Sequence, residues 1–550
     1  MAFSQSERNE SFASLGRETC DLAIVGGGIN GAGIARDAAM RGLSVVLVEK
    51  GDFASGTSSR SSRLIHGGIR YLEQLEFHLV FEATNERTVL ARIAPHLARP
   101  LPFLVPVFTG AKHGMLALAA GLWIYDGLSL FRSYRLHKTL STKKVLEIEP
   151  GLRTDGLKGA ALFWDRATDD ARLTLENAIA AHRAGARVMN YVEVVGFRRG
   201  EGDRVSGLVL SDRLGGGRTE LSARLTIVAA GPWLDGVLDR LQPAGEARPS
   251  LLRPTKGVHI VVPADRLPVH HAIVANAISD GRVLFFLPWG AFTIVGTTDT
   301  DYQGPPEEVA ADGADARYLL ETANHYMPGA NLVLGDVVST WAGLRPLVRQ
   351  EGVAESQVSR EHEILEPAPG LLAIAGGKLT TYRRMAEEIV DKAVAQLGAE
   401  ASPCRTDKDP LPGAPAWEDW DEREGSAEEK VLLEEHRLDP ETAAHLLTAY
   451  GARALEIARL PGGTERITPS RPDVWAEVDF AVEEEMAVRL EDFLLRRTDL
   501  LHKGPDQSLG LARPIAERMG RTLGWDAARV DEEVRLYERR VALHRRFREG

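Results

Sequence analysis

Cysteine is nearly absent: Cys20 and Cys404 are the only two in 550 residues. Two thiols so far apart exclude a disulfide framework and a clustered zinc site, and they fit a reducing compartment. No metal is expected. Long apolar runs are also missing. No stretch reaches the length of about 18 apolar residues that a membrane-spanning helix requires. The nearest candidate, MLALAAGLWIY at 115–125, is short and is followed by Asp126. Residues 1–20 lack the apolar core of a signal peptide and read as a polar, disordered leader. Positive charge is not in excess. With 66 Lys+Arg against 78 Asp+Glu, the net charge of −12 argues against a general nucleic-acid binder. No internal repeat of solenoid length is present. The hydrophobic fraction of 44% is that of a soluble globular chain long enough for about three or four units.

What is present is concentrated near the start, in DLAIVGGGINGAGIARDAAMRGLSVVLVEK at 21–50. DLAIV reads as a buried strand. Gly26, Gly28 and Gly31 form G-x-G-x-x-G: one glycine for the tight turn, one for approach to a pyrophosphate, one for close helix packing. The helix that follows directs its first N–H groups at the phosphates. Gly42 ends it, SVVLVEK is the second strand, and Glu49 stands where an acid would meet a ribose hydroxyl. Strand, glycines, helix, strand and acid in that order predict a dinucleotide site.

The loop GDFASGTSSRSSRLIHGGIRYLE at 51–73 is polar, glycine-rich and close enough to wrap the cofactor. Residues 74–98 look helical. From about 188 to 231 the pattern is a β-meander, punctuated by turn residues and ending at Gly231. KGVHIVVP, RVLFFLPW and AFTIVGTTD read as strands of a second sheet. LLAIAGGKLTTYRRMAEEIVDKAVAQL, 371–397, repeats the strand, glycine turn and helix. Residues 399–427 are acidic and Pro/Gly-rich, as in a linker, and 428–550 is charged and helical.

Three glycine turns, at Gly26–Gly31, Gly231 and Gly376–Gly377, converge on one sheet. A nicotinamide enzyme needs only the first. A flavin enzyme must also hold the isoalloxazine ring, and a second helix N-terminus suits negative charge on it. No second G-x-G-x-x-G exists for NAD(P)H, so FAD is the expected cofactor and the substrate its electron donor.

The segments IVGGGINGAGIARDAAMRGLSVVLVEKGDFASGTSSRSSRLIHGGIRYLE, WDRATDDARL, AAGPW, KGVHIVVP, GTTDTDY, GLRPL and GGKLTTYR resemble the FAD-dependent, quinone-linked glycerol-3-phosphate dehydrogenases, closely over about 21–395 and more loosely beyond. AAGPW departs from the family's usual central Thr. The resemblance implies an α/β (α+β) architecture: a glutathione-reductase-like Rossmann FAD-binding domain, a mixed-sheet substrate domain and an all-α C-terminal cap. The FAD-binding parts would be about 21–110, 165–240 and 340–398, and the substrate domain about 111–164 and 241–339. FAD would be held by Gly26, Gly28, Gly31, Glu49, Thr57, Ser58, Ser59, His66, Gly67, Gly231, Gly376, Gly377, Leu379 and Thr380. The implied reaction is oxidation of sn-glycerol 3-phosphate to dihydroxyacetone phosphate, with electrons passed to a membrane quinone. A homodimer, cytoplasmic and peripheral on the inner face of the cell membrane, is the family expectation.

Alcohol oxidation by a flavin needs a base for the hydroxyl proton, and histidine is the default. His259 on KGVHIVVP is the candidate, with His66 as competitor; a lone histidine on an apolar strand is otherwise a structural one. The substrate phosphate needs fixed cations. Arg70, Arg345 and Arg360 occupy family-like positions, with Tyr71 beside the first, against the alternative of ordinary surface ion pairs. Lys378 follows the last glycine turn and can serve the reduced flavin or the substrate. Thr298 and Asp299 either line the pocket or form a plain turn. Residues 115–144 join an apolar stretch to FRSYRLHKTLSTKK, with five Lys/Arg and no acid. This reads as an interfacial helix on an anionic membrane surface or as a core helix with a basic loop. Competing functions are a glycerol-3-phosphate oxidase using O2, an amine oxidase of the same fold, and a non-catalytic flavoprotein.

Overall fold

The computed structural model describes residues 2–242, 248–349, 362–415 and 426–549. The βαβ unit is present as read. Strand Thr19–Val25, helix Ile29–Met40 and strand Val45–Val48 follow one another. The strand at 19–25 pairs in parallel with 45–48 on one side and 218–228 on the other. The parallel run extends to 187–189 and 371–376 at its two ends. Apolar side chains alternate to both faces of this sheet, because helices cover one and the meander 192–228 the other. Leu22, Ile24, Val45 and Leu47 meet the helices 29–40 and 382–397 in one buried core. Ala23, Val46 and Val48 meet the meander in a second.

The second sheet is mixed and has ten strands. Its long members are Leu252–Pro263, Ser339–Val348, Leu157–Ala167 and Arg99–Phe108. Two of these lie in stretches expected in the FAD-binding domain. Strand 99–108 pairs with 157–167 and 272–276, and 339–348 pairs along its length with 252–263. The domain boundaries at 110 and 340 are therefore corrected: the chain enters the second sheet earlier and leaves it later.

The leader is also corrected. Residues Gln5–Ser14 form a helix, held by two side chains. Phe3 is buried against Phe53 and His182. Arg8 is buried, donates to the carbonyls of Asn190 and Tyr191, and pairs with Asp212. Polar composition hid one apolar anchor and one charged one. In the expected linker, residues 399–415 lie against the body of the molecule: Ser402 N–H donates to Arg41 O, and Leu411 N–H to Ile93 O. Residues 416–425 lie outside the described residues. From Ala427 onward the described chain is helical. Among the described residues, no helix is long and apolar enough to cross a membrane.

Candidate active site

The glycine turn after Thr19–Val25 is tight on every side. Gly26 has φ of +113°, and a Cβ there would stand 2.5 Å from the Ala229 carbonyl oxygen. A Cβ on Gly31 would overlap the carbonyl oxygen of Gly26. Without those side chains the helix start meets the sheet edge closely, with Gly28 at its N-cap, the kind of helix start that suits a phosphate. Glu49 closes this turn by accepting from the N–H groups of Gly27 (2.6 Å) and Gly51 (2.8 Å). Burial pushes its carboxyl up, against those two hydrogen bonds. Ser58 Oγ accepts from Ile29 N–H at 2.9 Å, so the 51–73 loop folds over the helix start.

Further along, the same loop meets the other expected segments. Thr57 Oγ1 donates to the Leu344 carbonyl at 2.6 Å, and Ser59 is buried beside it. His66 N–H donates to Thr380 Oγ1 at 3.2 Å. Gly67 N–H donates to Tyr125 Oη at 3.0 Å, and a Cβ at Gly67 would overlap that hydroxyl. Gly231 opens a turn at the end of strand 218–228. Gly376 and Gly377, both at positive φ, end strand 371–376 and lead into Leu379–Thr381. Leu379 packs with Ile29, Ile65 and Leu90. Lys378 Nζ lies 3.6 Å from the ring centroid of Tyr71. The three glycine turns thus stand at the same ends of parallel strands, with the loop drawn across them.

His259 and Arg345 come from the second sheet. His259 is buried, and its ring stacks on Trp341 at 5.0 Å and 19°. Its Nε2 is 2.8 Å from Ser62 Oγ. Burial, together with the charges of Arg345 and Arg63, pushes its pKa down to about 3, so the ring is neutral near pH 7. Gly257 and His259 share one face of their strand. A Cβ on Gly257 would come within 2.5 Å of Arg345 Nη2, which is why the guanidinium can lie across that face. Arg345 pairs with Asp299 at 2.9 Å and donates to Thr297 Oγ1 and the Thr298 carbonyl. Thr298 Oγ1 accepts from Val258 N–H. The GTTD turn therefore orients the arginine.

The chain matches the family model described as FAD dependent oxidoreductase over residues 21–391, and that for the C-terminal domain of alpha-glycerophosphate oxidase over 404–530. Glycerol-3-phosphate dehydrogenase of Synechocystis is 38% identical, covering 96% of this chain and 97% of its own. Glycerol-3-phosphate dehydrogenase 2 of Mycobacterium tuberculosis is 39% identical, with 98% and 91% covered. The crystal structure of the Bacillus halodurans glycerol-3-phosphate dehydrogenase complexed with FAD superposes with a TM-score of 0.80 at 31% identity, covering 98% of both chains.

The chain belongs to the FAD-dependent glycerol-3-phosphate dehydrogenase family. Its cofactor is FAD, and the glycine cradle has the close backbone approaches such a dinucleotide needs, with Glu49 and Ser58 holding the turn. In this family member the expected Arg360 and the side chain of Arg70 lie outside the described residues; the Arg70 backbone sits on the turn Ile69–Gln74 beside Tyr71.

Sequence reasoning passed over Ser62 and Trp341, which touch His259 directly. Ser62 was visible only as one serine of a serine-rich loop, and Trp341 as one apolar strand residue. It also passed over the buried triad of Arg87, Asp165 and Tyr125 under Gly67: Arg87 pairs with Asp165, and Tyr125 Oη donates to it at 2.8 Å. One cluster with metal-ligand chemistry occurs among the described residues, His445, Asp473 and Glu477. Arg471 stands 3.2 Å from Asp473. Burial opposes a charge on His445, but Glu477 and Asp473 raise its pKa overall. Arg471 and His445 thus face the two carboxylates directly, the arrangement of a side-chain ion-pair cluster.

Proposed function

We propose that the enzyme oxidises sn-glycerol 3-phosphate at C2 to dihydroxyacetone phosphate and passes the electrons to a membrane quinone. FAD, when bound, supplies a two-electron acceptor at N5 for the C2 hydride. His259 takes the hydroxyl proton. Being neutral, it has a free lone pair, and a phosphate dianion that offsets the charge of Arg345 raises its basicity. Arg345 binds the phosphate, aided by Arg70, Tyr71 and Arg360, and Lys378 stabilises developing negative charge near the ring. The observation that supports this reading is that one loop reaches both groups of residues: Ser62 meets His259, Tyr71 meets Lys378, and Thr57 donates to the carbonyl of Leu344 next to Arg345. The test is anaerobic mixing of the flavin-loaded enzyme with sn-glycerol 3-phosphate. Bleaching of the flavin absorption is expected. An oxidised spectrum that persists at millimolar substrate overturns the substrate assignment and leaves the cofactor standing.

The quinone reading is supported by an exposed apolar face. Helix Met115–Leu128 buries Leu122 and Tyr125 on one side but turns other apolar residues outward. Leu116 is 90% exposed and Trp123 58%, and Phe131 just beyond is 59% exposed. Phe77, Phe81 and Leu75 from the neighbouring helix and turn are exposed as well. Lys and Arg residues of 132–144 flank the patch, the arrangement of an interfacial segment on anionic lipid. Trp123→Glu with Phe131→Glu is expected to release the enzyme from anionic vesicles while leaving flavin bleaching intact. Rapid oxygen consumption without quinone would favour the oxidase reading instead.

A further inference from the structure

We propose that Ser62 positions His259, and that the C-terminal helical region takes part in the reaction by holding Ser62 in place through Arg63 and Asp499. The inference rests on the reading of His259 as the base.

His259 has two ring nitrogens in unequal settings. Nε2 meets Ser62 Oγ at 2.8 Å, whereas Nδ1 is buried with no hydrogen-bond partner. A buried polar atom without a partner is uncommon, and a ligand group is one thing that completes it. If Ser62 Oγ accepts the Nε2 proton, the tautomer is fixed, and Nδ1 carries the lone pair that receives the substrate's hydroxyl proton. The ring cannot turn away. Trp341 stacks on one face, and a Cβ at Gly296 would overlap Cδ2 of the imidazole.

Ser62 is itself held between two anchored neighbours. Ser61 N–H donates to Asp170 at 2.9 Å, the Ser61 carbonyl accepts from Trp341 Nε1 at 3.1 Å, and Ser61 Oγ accepts from Arg63 N–H at 2.9 Å. Arg63 lies over the ring of Trp289, with its guanidinium carbon 4.6 Å from the centroid, and pairs with Asp499 at 2.8 Å. Asp499 lies more than 400 residues further along the sequence, in the helical region. The same stretch supplies His502, which meets the Trp341 ring at 5.0 Å and whose Nδ1 is 3.0 Å from Ser339 Oγ. It also supplies Lys503, over Trp289 at 3.9 Å. Residues 499–503 thus brace both the loop that carries Ser62 and the tryptophan stacked on His259.

The test is rapid-mixing reduction of the flavin-loaded enzyme by sn-glycerol 3-phosphate, separating the limiting rate from the apparent substrate affinity. Ser62→Ala is expected to lower the limiting rate about 10- to 100-fold, the scale of a misplaced reacting group, with affinity changed less than about threefold because the phosphate contacts remain. Ser62→Thr, which keeps the hydroxyl, should recover most of the rate. Asp499→Asn should lower it in the same way but less, and Asp499→Glu should recover it. Should Ser62→Ala fail to retain flavin, the two Asp499 variants decide alone. Wild-type limiting rates in Ser62→Ala and Asp499→Asn, with only melting temperature lowered, would overturn the positioning role while His259→Asn still abolished reduction. A His259→Asn enzyme that reduces its flavin normally would instead remove the base reading itself.

Discussion

The sheet that cradles FAD and the C-terminal helical region are held in the molecule by a different balance of apolar and ionic contacts. Around strand Thr19–Val25 the packing is apolar, with Leu22, Ile24, Ala35, Leu47 and Ile227 fully buried together. The helical region has an apolar core of its own, around Leu490, Phe493, Leu501 and Ile515, and at its junction with the FAD-binding sheet a buried ionic network surrounds the apolar contacts of Met486 and Val488. Asp52 accepts from Arg496 and Arg497, each at 2.6 Å. Arg172 grips Glu485 with both terminal nitrogens, Arg453 adds a third contact at 3.2 Å, and Tyr191 Oη donates to Asp492 at 2.7 Å. Burial alone would raise the Glu485 carboxyl, yet Arg172 and Arg453 hold it below the usual range. An apolar interface tolerates many arrangements. A buried ionic one is satisfied in a single register, and it becomes strongly unfavourable when one partner is lost. The residues next to it brace His259, so a junction that fixes one register is the kind a catalytic site can depend on.

The largest expected effect lies on the apolar side, where backbone meets backbone. Gly31→Val should abolish FAD binding, read as loss of flavin absorption relative to protein, because its side chain has only the Gly26 carbonyl to displace. Gly42→Ala provides the contrast. Gly42 has φ of +93° but open space around its missing Cβ, so that variant should keep its flavin and lose about 1 to 2 kcal/mol to backbone strain. Equal loss of flavin in both would mean that the cradle does not depend on close approach at Gly31.

Next in size is the ionic side. Glu485→Gln removes the carboxylate that both Arg172 and Arg453 contact, leaving the two buried guanidiniums to Glu176 alone, and should cost about 3 kcal/mol. Denaturant unfolding measures it. In a cycle with Arg172→Met, the double variant should be less destabilised than the two single losses added together, since residues in one network do not act independently. Strict additivity would show that the junction is held by something other than this pair.

The same comparison explains what could be read in the sequence. Gly26, Gly28, Gly31 and Glu49 are legible because local spacing alone puts them together. KGVHIVVP and AFTIVGTTD are legible as strands because they are short apolar runs bounded by turn residues. RPLPFLVPVF at 99–108 is not, since three prolines argue against an internal strand, although it pairs on both sides. Arg8, Arg172 and Arg496 look like solvated charges in sequence. Their partners Asp212, Glu485 and Asp52 are remote, and no periodicity links them. The exposed face of helix 115–128 could be read either way, because composition alone does not say which way a uniformly apolar helix turns. Ser62 lies within a recognisable loop, yet only the fold shows which of its serines reaches His259.

The smallest expected effect tests whether the histidines where the helical region meets the second sheet are buried neutral. His259 is pushed down to about 3 by burial and by Arg345 and Arg63. His544 is pushed down to about 4 by burial, against the hydrogen bond to the Thr340 carbonyl, and His502 falls well below its ordinary value for the same first cause, burial. Below about pH 6.5 the unfolded chain takes up these protons and the folded chain does not. Unfolding is then favoured as pH falls, and stability is lost from about pH 6.5 downward and regained on raising it. For His259 alone the loss at pH 5 is about 2 kcal/mol. Melting temperature measured from pH 7.5 to 5 should therefore fall more steeply for the wild-type enzyme than for His259→Gln, which has no proton to take up. Parallel curves for the two proteins would place the charged imidazole within reach of a proton in the folded state, and would remove the buried, neutral setting from which its role as a base was argued.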